Sequence, residues 1–262
     1  MSNENNALVR KLEVMTALRT SEELYTLIAL TTNQPFVQCD PETYDDVVYV
    51  YPDFEDIKRE GMRFVELKHP VRIQKLTKDQ LLIFYTHLYT MGVNCIVFNG
   101  FMENEFKLQL SDLVRKPAEA APNGAKWVEN AALHLTAIYF MQELRRQNLK
   151  ELTPELKEMQ AEIIEHFNKG TFVFAAGEDN RLPILKHPNG DVYLPVYTDL
   201  LEAGKFKSDQ PIKLGVLPAA QIVKLLPEEA KGIVINPQGV NLQLPITRRP
   251  KTEDAPDPAE EK

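Results

Sequence analysis

The side chains of this protein that could carry acid-base, nucleophilic or metal chemistry are few and scattered. The five histidines, His69, His87, His134, His166 and His187, include no two at the three- or four-residue spacing that sets a pair of ligands on one helix face. Cys39 and Cys95 lie outside any CxxC or Cys/His pattern, which predicts free, partly buried thiols and no metal or redox centre. No serine sits in GxSxG, and the glycines form neither GxGxxG nor GxxxxGK, so the common hydrolase, dinucleotide and phosphate-loop signatures are missing. The carboxylate pairs Glu22/Glu23, Asp45/Asp46 and Glu228/Glu229 fall at expected helix starts or turns, where they complement the helix dipole or are solvated. The expectation is a protein with no catalytic residues, no resident metal and no cofactor, and so not an enzyme.

Two short strings remain as candidate binding residues. Tyr197, Thr198 and Asp199 end one expected strand, and Asn236, Pro237 and Gln238 end another. Side by side in a sheet, they would form a patch in which an exposed tyrosine supplies contact area while an amide and a carboxylate supply directional hydrogen bonds. Each string also has an ordinary structural use: Thr198 and Asp199 can cap the next helix, and Asn236-Pro237-Gln238-Gly239 holds the residues a tight hairpin turn needs.

The elements that must position these residues follow from periodicity. Leu8, Leu12, Met15 and Leu18 predict a helix over Asn6 to Arg19, and the Thr20/Glu23 capping box predicts a second helix carrying Leu24, Leu27 and Ile28. Strands are expected at Pro35 to Cys39, Asp46 to Tyr51, Phe64 to Leu67 and Val71 to Lys75. A helix opened by Thr77 and Gln80 should stop near Gly92, before a hairpin of Cys95 to Asn99 with Phe106 to Leu110. Residues 115–126 lack large apolar side chains and read as an exposed connector. Beyond it, helices are expected from Trp127 to Gln147 and from Thr153-Pro154, and strands at Thr171 to Ala175, Asp191 to Tyr197 and Ile212 to Val216. A short helix from Pro218 to Leu226 and a hairpin of Gly232 to Asn236 with Val240 to Ile246 close the series.

The unit common to both halves reads α-α-β-β-β-α-β-β, with one further strand in the first, and residues match across the halves as well as elements. Asp45, Val50, Tyr51 and Asp53 align with Asp191, Val196, Tyr197 and Asp199, while Ile96, Val97, Asn99, Leu108, Gln109 and Leu110 align with Ile233, Val234, Asn236, Leu242, Gln243 and Leu244. The expected fold class is α+β, a tandem duplication giving two lobes with mixed or antiparallel sheets. The first lobe is residues 1–114, the linker 115–126, the second lobe 127–247, and 248–262 an acidic tail. That tail is expected to be disordered, since Thr252 to Lys262 holds five carboxylates and no large apolar side chain.

The helix from Trp127 to Met141 is apolar around its whole circumference, so every side of it must be covered. It fills the groove between the lobes, or it forms a homo-oligomer contact. With 30 basic against 38 acidic residues, a net charge of −8 and no basic cluster, nucleic-acid and anionic-membrane partners are not expected. The N-terminus has no apolar leader core, and no stretch reaches the roughly 20 apolar residues of a bilayer span, which predicts a cytoplasmic protein.

The strings LPVYTDLLEA, Leu194 to Ala203, and GIVINPQGVNLQLPI, Gly232 to Ile246, resemble the SseB-type domain, named for enhanced serine sensitivity. The first lobe is degenerate against that pattern: Val50-Tyr51-Pro52-Asp53 replaces the Thr-bearing run and Asn99-Gly100-Phe101-Met102 the Asn-Pro turn. The resemblance implies the fold and a bacterial cytoplasmic setting, and the family brings no settled biochemical activity. The expected function is a non-catalytic interaction or adaptor protein with a protein or peptide partner. The alternative is a small-ligand binder using the groove between the lobes.

Overall fold

The computed structural model describes residues 2–116, 127–147, 151–178, 181–208 and 211–246. The expected connector falls mostly outside these residues and the acidic tail wholly outside them. No described helix is long and apolar enough to cross a membrane.

The first half begins with helix α1 (Ser2–Thr20) and strands β1 (Glu23–Ala29), β2 (Gln34–Pro35), β3 (Val37–Cys39) and β4 (Asp46–Tyr51). Helix α2 (Phe54–Glu66), strand β5 (Val71–Thr77), helix α3 (Lys78–Thr90), strands β6 (Cys95–Phe98) and β7 (Phe106–Gln109) and the short α4 (Leu110–Leu113) follow. The second half holds α5 (Ala131–Gln147), α6 (Pro154–Lys169), β8 (Thr171–Gly177), β9 (Leu185–Lys186), β10 (Val192–Val196) and α7 (Leu200–Ala203). It ends with β11 (Ile212–Pro218), α8 (Ala219–Leu225), β12 (Ala230–Ile235) and β13 (Leu242–Pro245). The fold is α+β with mixed sheets.

Two expected elements are different in the structure. Glu23–Ala29 is a strand and not the helix its capping box predicts, because it lies between two cores: Leu24 faces one hydrophobic cluster and Leu27 and Ala29 the other. It pairs antiparallel with β5 along its whole length, and that tertiary pairing outweighs the local helix signal. The expected strand at Phe64 to Leu67 is instead the last turn of α2. Asp53 caps this helix by accepting from the amides of Glu55 and Asp56, and Ile57, Gly61 and Phe64 form its buried stripe. The Thr77/Gln80 capping box does open α3, and Gly92 follows it at φ 86°.

The element order α-β-β-α-β-α-β-β, from α1 to β7, recurs from α6 to β13, with β2 and β3 or β9 inserted after the first strand. This replaces the order expected for each half and leaves α5 outside it. In both halves the first strand pairs antiparallel with the one after the capped helix, β1 with β5 and β8 with β11. In both, the next strand runs parallel to one that returns as a hairpin, β4 to β6 and β10 to β12. The Asn99 amide donates to Val50 O at 3.1 Å and the Asn236 amide to Val196 O at 2.9 Å, with φ of 53° and 47°.

Helix α5 lies between the halves. Tyr139 Oη donates to Asp46 Oδ1 at 2.6 Å, Gln142 Nε2 donates to Val37 O at 3.0 Å, and Arg145 donates to Asn241 O at 3.1 Å and also to Thr31 O. One hydrophobic cluster draws Leu24, Val50 and Ile96 from the first half, Ala137 and Ile138 from α5, and Val196, Ile233 and Ile235 from the second. Two expectations fall here. The helix keeps no broad apolar face for a second copy, and the groove expected to take a small ligand is filled by its side chains.

Candidate functional site

The two candidate strings do meet. The Thr198 amide donates to Asn236 Oδ1 at 2.9 Å, and Asn236 Nδ2 donates to Thr198 Oγ1 at 2.8 Å. They meet inside the protein, however: Tyr197, Thr198, Asp199 and Asn236 are each 0% exposed, while Pro237 and Gln238 are half-buried. The expected exposed tyrosine is a correction. Tyr197 exchanges backbone hydrogen bonds with Val173 of β8, which draws its ring into a small cluster with Val128, Ala203 and Phe206. Gln238 faces the first half, where its carbonyl accepts from Asn33 Nδ2 at 3.2 Å.

His134, which has no paired ligand in the sequence, and Glu202, which the sequence does not single out, complete the cluster. His134 stands on α5, 0% exposed, with its ring against the Thr198 hydroxyl at 3.2 Å and Asn236 Nδ2 at 3.3 Å. Thr198 Oγ1 donates to Asp199 Oδ2 at 2.8 Å and accepts from Asn236, so its remaining lone pair takes the proton of His134 Nδ1. His134 Nε2 then accepts the second Asn236 amide proton. Asp199 also caps α7, accepting from the amides of Leu201 and Glu202 at 2.8 and 2.9 Å. Burial alone would raise its carboxyl, but the adjacent His134 ring and the cap hydrogen bonds hold it below its usual value.

Glu202 joins the halves. One of its oxygens accepts from Gln34 Nε2 at 2.8 Å, from His87 Nε2 at 2.8 Å and from Lys205 Nζ at 2.6 Å; the other is buried without a partner among the described residues. Burial opposes this charge, yet the His87 hydrogen bond and the Lys205 ammonium keep Glu202 ionised well below the ordinary carboxylate range. His87, on α3 of the first half, is lowered chiefly by burial, with the Glu202 bond acting against it.

Threonine, histidine and aspartate therefore stand together, but not as a nucleophilic relay. The Thr198 hydroxyl proton goes to Asp199, the His134 proton goes to Thr198, and a reacting atom has no path to a cluster at 0% exposure. The one signal for His134 in the sequence was its position: a histidine inside a helix that must be covered all round needs buried partners. Glu202 had no such signal, because its partners Gln34 and His87 are remote in sequence. No group of three or more His, Cys, Asp or Glu side chains among the described residues could hold a metal ion.

Two concave surfaces lie in the first half. A cavity of ≈ 420 Å³ is bordered by Tyr49, Arg63, Phe64, Phe101 and Lys107, and a groove of ≈ 360 Å³ runs between α2 and β5.

No curated protein matches the chain. Two solved structures align over most of it at low similarity: "Anabaena Tic22 (protein transport)", at 10% identity and TM-score 0.22 over 82% of this chain and 85% of that one, and "Tic22 from Plasmodium falciparum", at 13% identity and TM-score 0.21 over 85% and 90%. TM-scores this low carry no argument about fold or function. The family described as the SseB protein N-terminal domain matches residues 136–248, the stretch that holds the Thr198, Asn236 and Glu202 side of the buried cluster.

Proposed function

We propose that this protein is a non-catalytic interaction or adaptor protein of SseB type, acting in a bacterial cytoplasm on protein or peptide partners. The observation that carries this reading is the sealing of the polar cluster around His134. His134, Thr198, Asp199, Glu202 and Asn236 are 0% exposed and spend their hydrogen bonds on one another and on neighbouring backbone, Gln34, His87 and Lys205. Large apolar side chains, in contrast, stand on the surface of α2 and the segments beside it: Met62 is 61% exposed, Leu67 55% and Leu30 58%. Surface of that kind serves association better than reaction.

The two halves we read as a tandem duplication whose first copy has diverged. The recurring element order, the paired positions of Asn99 and Asn236, and the caps at Asp53 and Asp199 support it.

The test has two arms. The full chain, immobilised, is used to capture proteins from a bacterial lysate, and separately is incubated with a metabolite extract followed by mass spectrometry. A stoichiometric protein partner with no metabolite consumed is the expected result. Consumption of a metabolite that stops in His134→Asn would overturn the reading.

A further inference from the structure

Strand β5 is an edge: β1 pairs with one side of it along Val71 to Ala29, Thr77 to Glu23 and every residue between, and no described strand pairs with the other. Beside this edge lies the α2 groove, its apolar lining made by Leu27, Gly61, Met62, Val65, Val71 and Ile73 and its charged border by Lys58, Glu66 and Arg72, two cations to one acid. On the outer side the amides of Val71, Ile73 and Lys75 and the carbonyls of Val71 and Ile73 have no described partner, while Gln74 Nε2 covers the Lys75 carbonyl and Gln80 Oε1 the Thr77 amide. Free backbone donors and acceptors next to an apolar trough are the arrangement by which sheets take an added strand. Gly61 creates the trough, because it is the position in the middle of α2, directly over Leu27, where the helix presents no side chain.

We propose that β5 and this groove bind an extended peptide segment of a protein partner, with apolar and acidic side chains alternating. The assignment rests on the interaction reading above and names its site. Val71 and Ile73 pack with the cluster on the α2 side of the sheet, whereas Leu76 packs with the cluster on the other side. An added strand would therefore place alternate side chains in the groove and set those between them on the opposite face, opposite Arg72. Arg72 bonds only to the amide oxygens of Gln74 and Asn33, and neither it nor Lys68 is in a described ion pair. A carboxylate on the partner fits that position.

Charge decides against two nearer occupants. A second copy would set one edge carrying Arg72 and Lys75 and no acidic residue beside another, and cationic side chains on natural edges repel such pairing. The acidic segment 252–262 of this chain has the charge but no large apolar side chain to fill the groove.

The probe is a fluorescein-labelled heptapeptide with valine at odd and glutamate at even positions, titrated by anisotropy against the full chain. Hydrogen exchange of the outward amides of Val71, Ile73 and Lys75 is followed in parallel. We expect saturable binding that protects those three amides. It should weaken at least tenfold with Val65→Asp or Gly61→Leu, and tenfold when lysine replaces glutamate in the peptide, but stay unchanged with Leu82→Asp, an exposed apolar position on α3. Circular dichroism confirms that each variant is folded. No saturable binding, or binding indifferent to both groove variants, overturns the site. So does a concentration-dependent dimer broken by Val65→Asp, or binding that appears only after residues 252–262 are removed. A partner captured equally well by native protein and by Val65→Asp overturns this site and leaves the interaction reading standing; consumption of a metabolite dependent on His134 overturns that reading itself.

Discussion

Thr198 and Asn236 exchange two hydrogen bonds, amide to side-chain oxygen at 2.9 Å and side-chain amide to hydroxyl at 2.8 Å, and so tie the end of β10 to the end of β12. Asn99 holds the same place in the first half, but its side-chain oxygen is buried with no partner among the described residues. Replacing Asn236 by Ala strands the Thr198 amide and the His134 ring, each buried, and should cost about 3 kcal/mol in denaturant unfolding. Asn99→Ala should cost less, since it removes an acceptor that is already unpaired. Equal losses would mean that the left-handed backbone, shared by both positions, accounts for the whole effect.

The paired tyrosines differ in the same sense. Tyr51 Oη donates to Gly100 O at 3.1 Å, whereas Tyr197 Oη has no partner among the described residues. Tyr51→Phe is expected to lower stability by about 1 kcal/mol, and Tyr197→Phe to leave it unchanged or raise it. Thermal melts of both variants under one buffer decide the matter.

The Glu202 junction makes stability depend on pH. The folded-state pKa of His87 is depressed below its ordinary 6.5 by burial, so the unfolded chain binds a proton that the folded one refuses. Stability then falls as pH drops below about 6.5, because the unfolded state holds more protons there. His69 is lowered in the same direction, chiefly by burial, and Asp199 and Glu202 lose their contributions only at much lower pH. His87→Gln retains a donor for Glu202 without the titration, and its melting temperature should fall less than that of the native protein between pH 7.5 and 5.5. Parallel curves would place the sensitivity elsewhere.

Gly61 interrupts α2, where glycine costs about 1 kcal/mol relative to alanine. A Cβ built there meets only Leu27 Cδ2 at 3.4 Å, an ordinary contact. Gly61→Ala should therefore stabilise the protein by up to about 1 kcal/mol. A destabilised variant would show that α2 cannot shift even by tenths of an ångström over the sheet.

Much of this architecture was legible without coordinates. A run of Val and Tyr behind a Pro/Asp turn marked Asp46 to Tyr51, which is β4 to the residue, and the Thr77/Gln80 box and Gly92 bracketed α3 because caps act within a single turn of chain. Matched residues located Asn99 and Asn236 at equivalent strand ends, and the uniform apolarity of α5 foretold its burial. Thr198 and Asn236 were expected side by side as part of an exposed patch; parallel pairing of β10 with β12 does bring them together, but inside the protein.

Tertiary structure decided the rest. Whether Glu23–Ala29 is helix or strand depended on β5, which pairs with it from nearly fifty positions away in sequence. Whether Tyr197 faces solvent depended on Val173 bonding to its backbone. The sequence lists Gln34, His87, His134 and Glu202 on four separate elements, with nothing local to join them. Only packing of both halves around α5 brings Gln34 and His87 within hydrogen-bonding distance of the buried Glu202 carboxylate and His134 to 3.9 Å from it, since desolvation and charge pairing are properties of a place in the fold and not of a stretch of chain.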